Sequence, residues 1–247
     1  MGPEGPAGEE ALSRKRIYIM QPTMVSGVLI PFGVSWNYAL GGAGSTVAVS
    51  PPYTSSGNDR SASQQLWMRT GTEDESLVTL SSSLAPIFLG SQPGRGGFDF
   101  RVRFGFLTVM ADMRFHIGLS QFATISGDAG TAYANTLGIC KDEADGTMFI
   151  ATKEAHLSTA LRTDTGVAPN VNDLFDFSMV AEPNSWQVTC RLVNAITGVV
   201  YVDDLVLSTN LPAADFLLTM RASIQARTAS ANGASLAISK IYCESET

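Results

Sequence analysis

Charge is scarce in this sequence. Asp, Glu, Lys and Arg make up 16% of the 247 residues, against about a quarter in ordinary globular chains. What charge there is runs acidic, with a formal net of −7. A surface that grips nucleic acid needs a basic field over the phosphates, so a nucleic-acid partner is excluded. Long apolar runs are missing too. No stretch reaches the about 18 residues of a membrane-spanning helix. The opening MGPEGPAGEE has Gly, Pro and Glu where a secretory leader carries its apolar segment. Neither membrane insertion nor a signal peptide is expected. Cysteine is limited to Cys140, Cys190 and Cys243, with no CxxC pair and with His116 and His156 far from any of them in sequence. Each sits among apolar residues of strand character (LGIC, VTCRLV, IYC), where a thiol behaves as a small hydrophobe. Three buried, unpaired thiols in a chain assembled in a reducing cytoplasm are expected, and neither a metal nor any other cofactor.

Gly, Ser, Thr, Ala and Asn fill the space left by charge, which is the palette of turns and solvated strand faces. Hydrophobic residues account for 45%, and the length suffices for a sizeable core without staples. In the leader, Gly2, Gly5 and Gly8 recur every third residue, and Pro3 and Pro6 each follow a Gly. That is the Gly-X-Y rule of the collagen triple helix, where only Gly fits at the crowded axis and three parallel chains are required.

From residue 11 to 97 strand-sized apolar pieces (VSGVLIPFGVSW, QQLWMR, SLVTL, APIFL) stand between Gly-, Ser- and Pro-rich connections. The segment GGAGSTVAVSPPYTSSGNDRSASQ reads as the longest loop, with Pro51-Pro52 and Gly57-Asn58 as turn signals. After Gly97 the pattern sharpens. Phe98, Phe100, Val102, Phe104 and Phe106 alternate with Asp99, Arg101 and Arg103, a strand with one buried aromatic face. In MRFHIGLS, Met113, Phe115, Ile117 and Leu119 take one face, Arg114 and His116 the other. Further strands read as TLGICK, GTMFIATK, DLFDFSMVAE, WQVTCRLVN, VVYVDDLVL, FLLTMRASIQ and SLAISKIYC. Asp145-Gly146, Pro183-Asn184, Thr197-Gly198 and Asn232-Gly233 mark turns between them. No segment holds a 3.6-residue period. The pattern predicts an all-β, antiparallel sandwich of jelly-roll type.

Residues from about 97 onward resemble the concanavalin-like β-sandwich domain at the C-termini of tailed-bacteriophage fibre and virion proteins. The resemblance lies in the order of GFDFRVRFGF, MRFHIGLS, LGICKDEADGTMFI, TDTG, DLFDFSMVAEPNSWQVTCRLVNAITG, STNLPAADFLL and a closing IYCESET. It spans roughly 150 residues and departs from the pattern in a long insertion-like loop at 41–65. It implies the end of a collagen-like stem and linker in 1–15, then one lectin-like fibre-tip domain over 16–247. Within that domain 16–96 supply variable first strands and loops, and 97–247 the family-like core. It also implies a homotrimer, attachment to other virion proteins through the stem, location in the virion, and a host surface glycan or outer-membrane component as partner.

Paired carboxylates could serve a glycan depolymerase, but Glu73, Asp74 and Glu75, Asp142, Glu143 and Asp145, and Asp203-Asp204 all fall at turns, so no enzyme is expected. KDEADG breaks the calcium-loop spacing, with Ala144 at the third position and Gly146 one residue early. No GxSxG elbow accompanies His116 or His156. Trp36 and Trp67 alternate like core residues. Tyr53 follows Pro-Pro in the long loop with Asn58, Asp59 and Arg60 nearby, an aromatic platform with polar partners suited to a sugar. These four are the expected receptor-binding residues, with specificity in loops 41–65 and 120–135. The alternatives are a structural head- or tail-decorating fibre without a receptor, and the depolymerase.

Overall fold

The computed structural model describes residues 15–20, 24–25, 28–29, 36–50, 65–82, 87, 89–90, 96–121, 128, 134–155, 159–183 and 185–246. Among them are seventeen strands and no helix. In chain order these begin with β1 (Lys15–Met20), the short hairpin β2 (Met24–Val25) and β3 (Val28–Leu29), β4 (Trp36–Gly41), β5 (Thr46–Ser50), β6 (Gln65–Arg69) and β7 (Leu77–Ser82). β8 (Gly96–Thr108), β9 (Arg114–Ser120), β10 (Thr136–Lys141), β11 (Phe149–Lys153) and β12 (Leu161–Asp164) follow. The last five are β13 (Leu174–Ala181), β14 (Val188–Asn194), β15 (Val200–Leu207), β16 (Thr219–Gln225) and β17 (Ser235–Glu246).

Two antiparallel sheets face each other, as the alternation predicted. One has the order β15-β14-β13-β8-β17-β6-β5, with β1 beside the end of β17. The other has the order β12-β11-β10-β9-β16-β7-β4. The chain crosses between sheets at β4–β5, β6–β7, β7–β8, β8–β9, β12–β13, β15–β16 and β16–β17, the nested order of a jelly roll. The inner face of β8 supplies Phe98, Phe100, Val102, Phe104 and Phe106, all buried. Phe104 stacks 5.4 Å from Phe175, and Phe106 meets Phe115 of the facing sheet edge-on at 5.1 Å. Such pairs add about 0.5–1.5 kcal/mol beyond the area they bury. Cys140, Cys190 and Cys243 are free and buried.

Several expectations need correction. The stretch read as one long loop from Gly41 contains β5, because Val47 and Val49 alternate within TVAVS and pair across β6. The Gly41–Gly44 run forms the corner between sheets, with Gly42 and Gly44 at φ 85° and 79°. In APIFL, read as a strand, the described residues Ile87 and Leu89 show an isolated bridge from Ile87 to Leu218. LRTD, absent from the strands read in the sequence, is edge strand β12. The turn of KDEADG centres on Glu143 and Ala144, with Asp145 N bonded to Asp142 O, rather than on Asp145-Gly146. Trp67 is half-buried on the outer face, because the core takes Leu66 and Met68 on either side of it; Trp36 opens edge strand β4.

Candidate functional site

Tyr53, Asn58, Asp59 and Arg60 lie outside the described residues. The described part of 120–135 is tied down at both ends of β9. Asn135, buried with φ 46°, accepts Gln121 N at its carbonyl (3.2 Å) and Ala155 N at Oδ1 (3.1 Å). Its amide donates to Gln121 Oε1 at 2.8 Å. Asp128 pairs with Arg114 Nε at 2.6 Å and accepts Glu143 N, at the opposite end of β9 from Gln121.

The structure assembles a groove that sequence reading missed. Between β13 and β14 the chain turns over residues 182–187. Ser185 N donates to Glu182 O at 3.0 Å, while Ser185 Oγ donates to Gln187 O and accepts Gln187 N. This tight turn throws Trp186 into solvent, 71% exposed. Its base rests on Gly97, whose φ of 77° and contact with Pro183 N leave no room for a side chain: a Cβ would lie 2.7 Å from that nitrogen. The opposite wall is 208–218. Thr152 Oγ1 donating to Asn210 O (2.9 Å) and Gly90 N donating to Ala214 O (2.8 Å) hold it in place. The groove between encloses about 480 Å³, lined by Trp186 with Ser185, Glu154, Asn210, Leu211 and Asp215. An exposed indole beside an amide, two carboxylates and hydroxyls can stack on an apolar ring face and hydrogen-bond its rim.

The sequence reading gave Trp186 to a strand, and its parity with Val188, Cys190 and Leu192 points inward. β14 starts only at Val188, so the parity does not apply. The usable signal was a large aromatic following Pro183, Asn184 and Ser185 in a turn.

The outer sheet faces differ. On the β9–β10–β16 sheet the outer residues are buried, among them His116, Thr136, Arg221 and Ser223. His116 Nε2 lies 3.0 Å from Thr136 Oγ1, over Gly138, where a Cβ would come within 2.9 Å of the same nitrogen. Burial, with the nearby Arg221 charge, depresses the imidazole to about 3, so at neutral pH it is uncharged.

The outer face of the other sheet is an open trough of about 770 Å³ across β14, β13, β8 and β17. Arg101 forks onto Asp99 at 2.8 and 2.6 Å, and that hydrogen bond and charge raise its pKa further. Arg103 forks onto Asp176 at 2.7 Å twice. Arg191 Nε donates to Asp203 at 3.0 Å. Tyr242 donates its hydroxyl to Glu244 at 2.5 Å, and that bond moves the phenol up to about 12.

The carboxylate clusters act as cross-links, and Asp203-Asp204, expected at a turn, lie instead within β15, where Asp203 accepts from Arg191. Glu73 accepts Ala43 N, Asp74 accepts Ala229 N, and Glu75 meets Arg227 and Gln225. Asp142 and Asp145 pair with Arg162, and Glu143 with Arg114 and Arg227.

No protein-family model matches the chain, and no curated protein matches it in sequence. Solved structures share its fold. A Shewanella oneidensis protein of unknown function superposes with TM-score 0.62 at 12% identity, covering 94% of this chain and 87% of that one. Lectin UEA-II complexed with galactose gives 0.55 at 11%, covering 94% and 99%. The CBM2 module of the Dit protein of Lactobacillus casei phage J-1 gives 0.51 at 15%, covering 95% and 97%. The fold is therefore a lectin-like β-sandwich.

Proposed function

We propose that the chain is a glycan-binding module of a bacteriophage fibre, carried as a homotrimer on a collagen-like stem and directed at a host surface glycan. The exposed Trp186 in its polar groove carries the reading. Tryptophan offers a broad apolar ring face with a polar N–H at its edge, the amphipathic surface that binding sites favour. The groove pairs it with the hydroxyls, amide and carboxylates that fix a sugar's orientation. A fold shared with a galactose-complexed lectin and a phage CBM2 module supports the same reading. The Gly-X-Y leader supports the trimer. Three weak sites on one stem gain strength by avidity.

Glycan-array binding by the intact chain tests this. Wild-type protein should bind a defined set of glycans, and Trp186→Ala should weaken that binding on the order of tenfold or more, as loss of an aromatic anchor does. Retained binding by Trp186→Ala would remove the groove from the site. Absence of any glycan binding, with no competition against phage for host cells, would favour a purely structural fibre. Tyr53→Ala and Arg60→Ala, assayed alongside, test whether the 41–65 connection contributes.

A further inference from the structure

We propose that the trough on the outer face of β14, β13, β8 and β17 is a second binding surface, taking a strand of acidic polysaccharide that carries carboxylates among its hydroxyls. It extends the glycan-binding reading to a different wall of the sandwich and a different ligand chemistry.

The register builds the trough in rows. Tyr242, Arg101, Ser178 and Arg191 stand side by side on β17, β8, β13 and β14. Ser178 is the small member, so the two guanidiniums rise on either side of a low floor. They are two strand spacings apart, roughly 10 Å. The next row begins with Lys240 beside Arg103.

Donors and acceptors are not balanced on this face. Its carboxylates are already engaged: Asp99 by Arg101, Asp176 by Arg103 and Glu244 by Tyr242. Among the described residues, cationic donors remain. Arg101 uses Nε and Nη2 on Asp99 and keeps Nη1. Arg191 uses Nε alone on Asp203 and keeps both terminal nitrogens. Lys240 is exposed and takes part in no ion pair among the described residues. The lining carries four cations against three carboxylates, and Asp203 on Arg191 brings the face to neutrality, on a chain of net charge −7. A ligand that offers acceptors and negative charge therefore fits, and charge-assisted bonds from guanidinium and ammonium are the strong kind. Val180 and Val193 add apolar wall for the C–H faces of sugar rings. The trough crosses four strands, a span that suits a chain rather than a single sugar. Its charge is diluted by the bound carboxylates, so a dense polyanion such as nucleic acid gains little there.

Titration calorimetry with the intact chain distinguishes this surface from the groove. The probes are oligogalacturonate, which carries a carboxylate on each ring, and neutral maltooligosaccharide of equal length. Oligogalacturonate should bind more tightly than the neutral probe and weaken as salt is added. Arg191→Glu combined with Lys240→Glu should lower its affinity by about tenfold or more, and Ser178→Trp, which fills the floor, should do the same. Both variants change exposed or half-buried outward positions, and circular dichroism with thermal melting checks that they fold. Trp186→Ala should leave oligogalacturonate binding unchanged. Equal binding of both probes, binding that survives the double reversal, or binding abolished by Trp186→Ala alone would overturn the inference. If array glycans bind through Trp186 while wild-type protein ignores oligogalacturonate, this surface fails and the module reading stands. If no glycan binds anywhere, both fall.

Discussion

His116 is a neutral imidazole held inside a protein whose unfolded chain would readily protonate it, and that difference makes it a lever on stability. Its folded value is depressed to about 3, while the unfolded value stays near the ordinary 6.5 or so. Above about pH 6.5 both states are uncharged at this site. As the pH falls from there toward 3, the unfolded chain takes up a proton that the native one refuses, so stability drains away. Between pH 6.5 and 5.5 the loss should be about 1 kcal/mol, measurable as a fall in the urea midpoint. His116→Gln should flatten the slope in that window, above the range where carboxylates titrate; an unchanged slope would show that His116 is not its source. The cysteines are the second residue-scale test. Burial pushes Cys140 and Cys243 well above the ordinary thiol range and Cys190 up to about 12. Native protein should give almost no reaction with a thiol reagent, and denatured, unreduced protein three thiols per chain. Fewer would reveal a disulfide.

Gly97 governs an entire element, because it lets the 182–187 turn settle against the start of β8. Gly97→Ala places a Cβ 2.7 Å from Pro183 N at a φ of 77°, a conformation that costs about 1–3 kcal/mol for other residues. The expected result is a lower melting temperature together with weakened glycan binding, since the displaced turn carries Trp186. Stability lost without any change in binding would separate the turn from the site. The strands themselves were largely legible. β8 alternates without interruption, so both its aromatic core face and its Asp99, Arg101 and Arg103 face could be read from the residues alone. β5 was hidden because two valines are outweighed by flanking Gly, Ser and Pro. β12 was hidden because LRTD, at a sheet edge, has nothing it must bury. The groove was illegible for a different reason. Trp186, Asn210 and Glu154 come from three connections far apart in sequence, and only the order of strands brings them to one end.

At the scale of the whole molecule, light scattering should find a particle of about 79 kDa, three times the 26.2 kDa chain, if the Gly-X-Y leader winds three copies together; a monomer mass would refute the stem. The antiparallel pairing of β1 with β17 sets Lys15 opposite Glu246, and the register of β17 with β8 sets Glu246 opposite Gly96. Entry and exit of the chain therefore share the end of the sandwich that bears Trp186, while the turns at 72–75, 142–145 and 226–234 occupy the other. A protein tethered to a sensor surface at Lys15 or Glu246 would hold its groove on the tethered side, and a fibre stem entering at Lys15 likewise leaves the groove beside the shaft, reached from the flank, whereas the face of β14, β13, β8 and β17 would stay open to the flowing solution. Capture through a cysteine introduced near Asn172 would invert the molecule and present the groove outward.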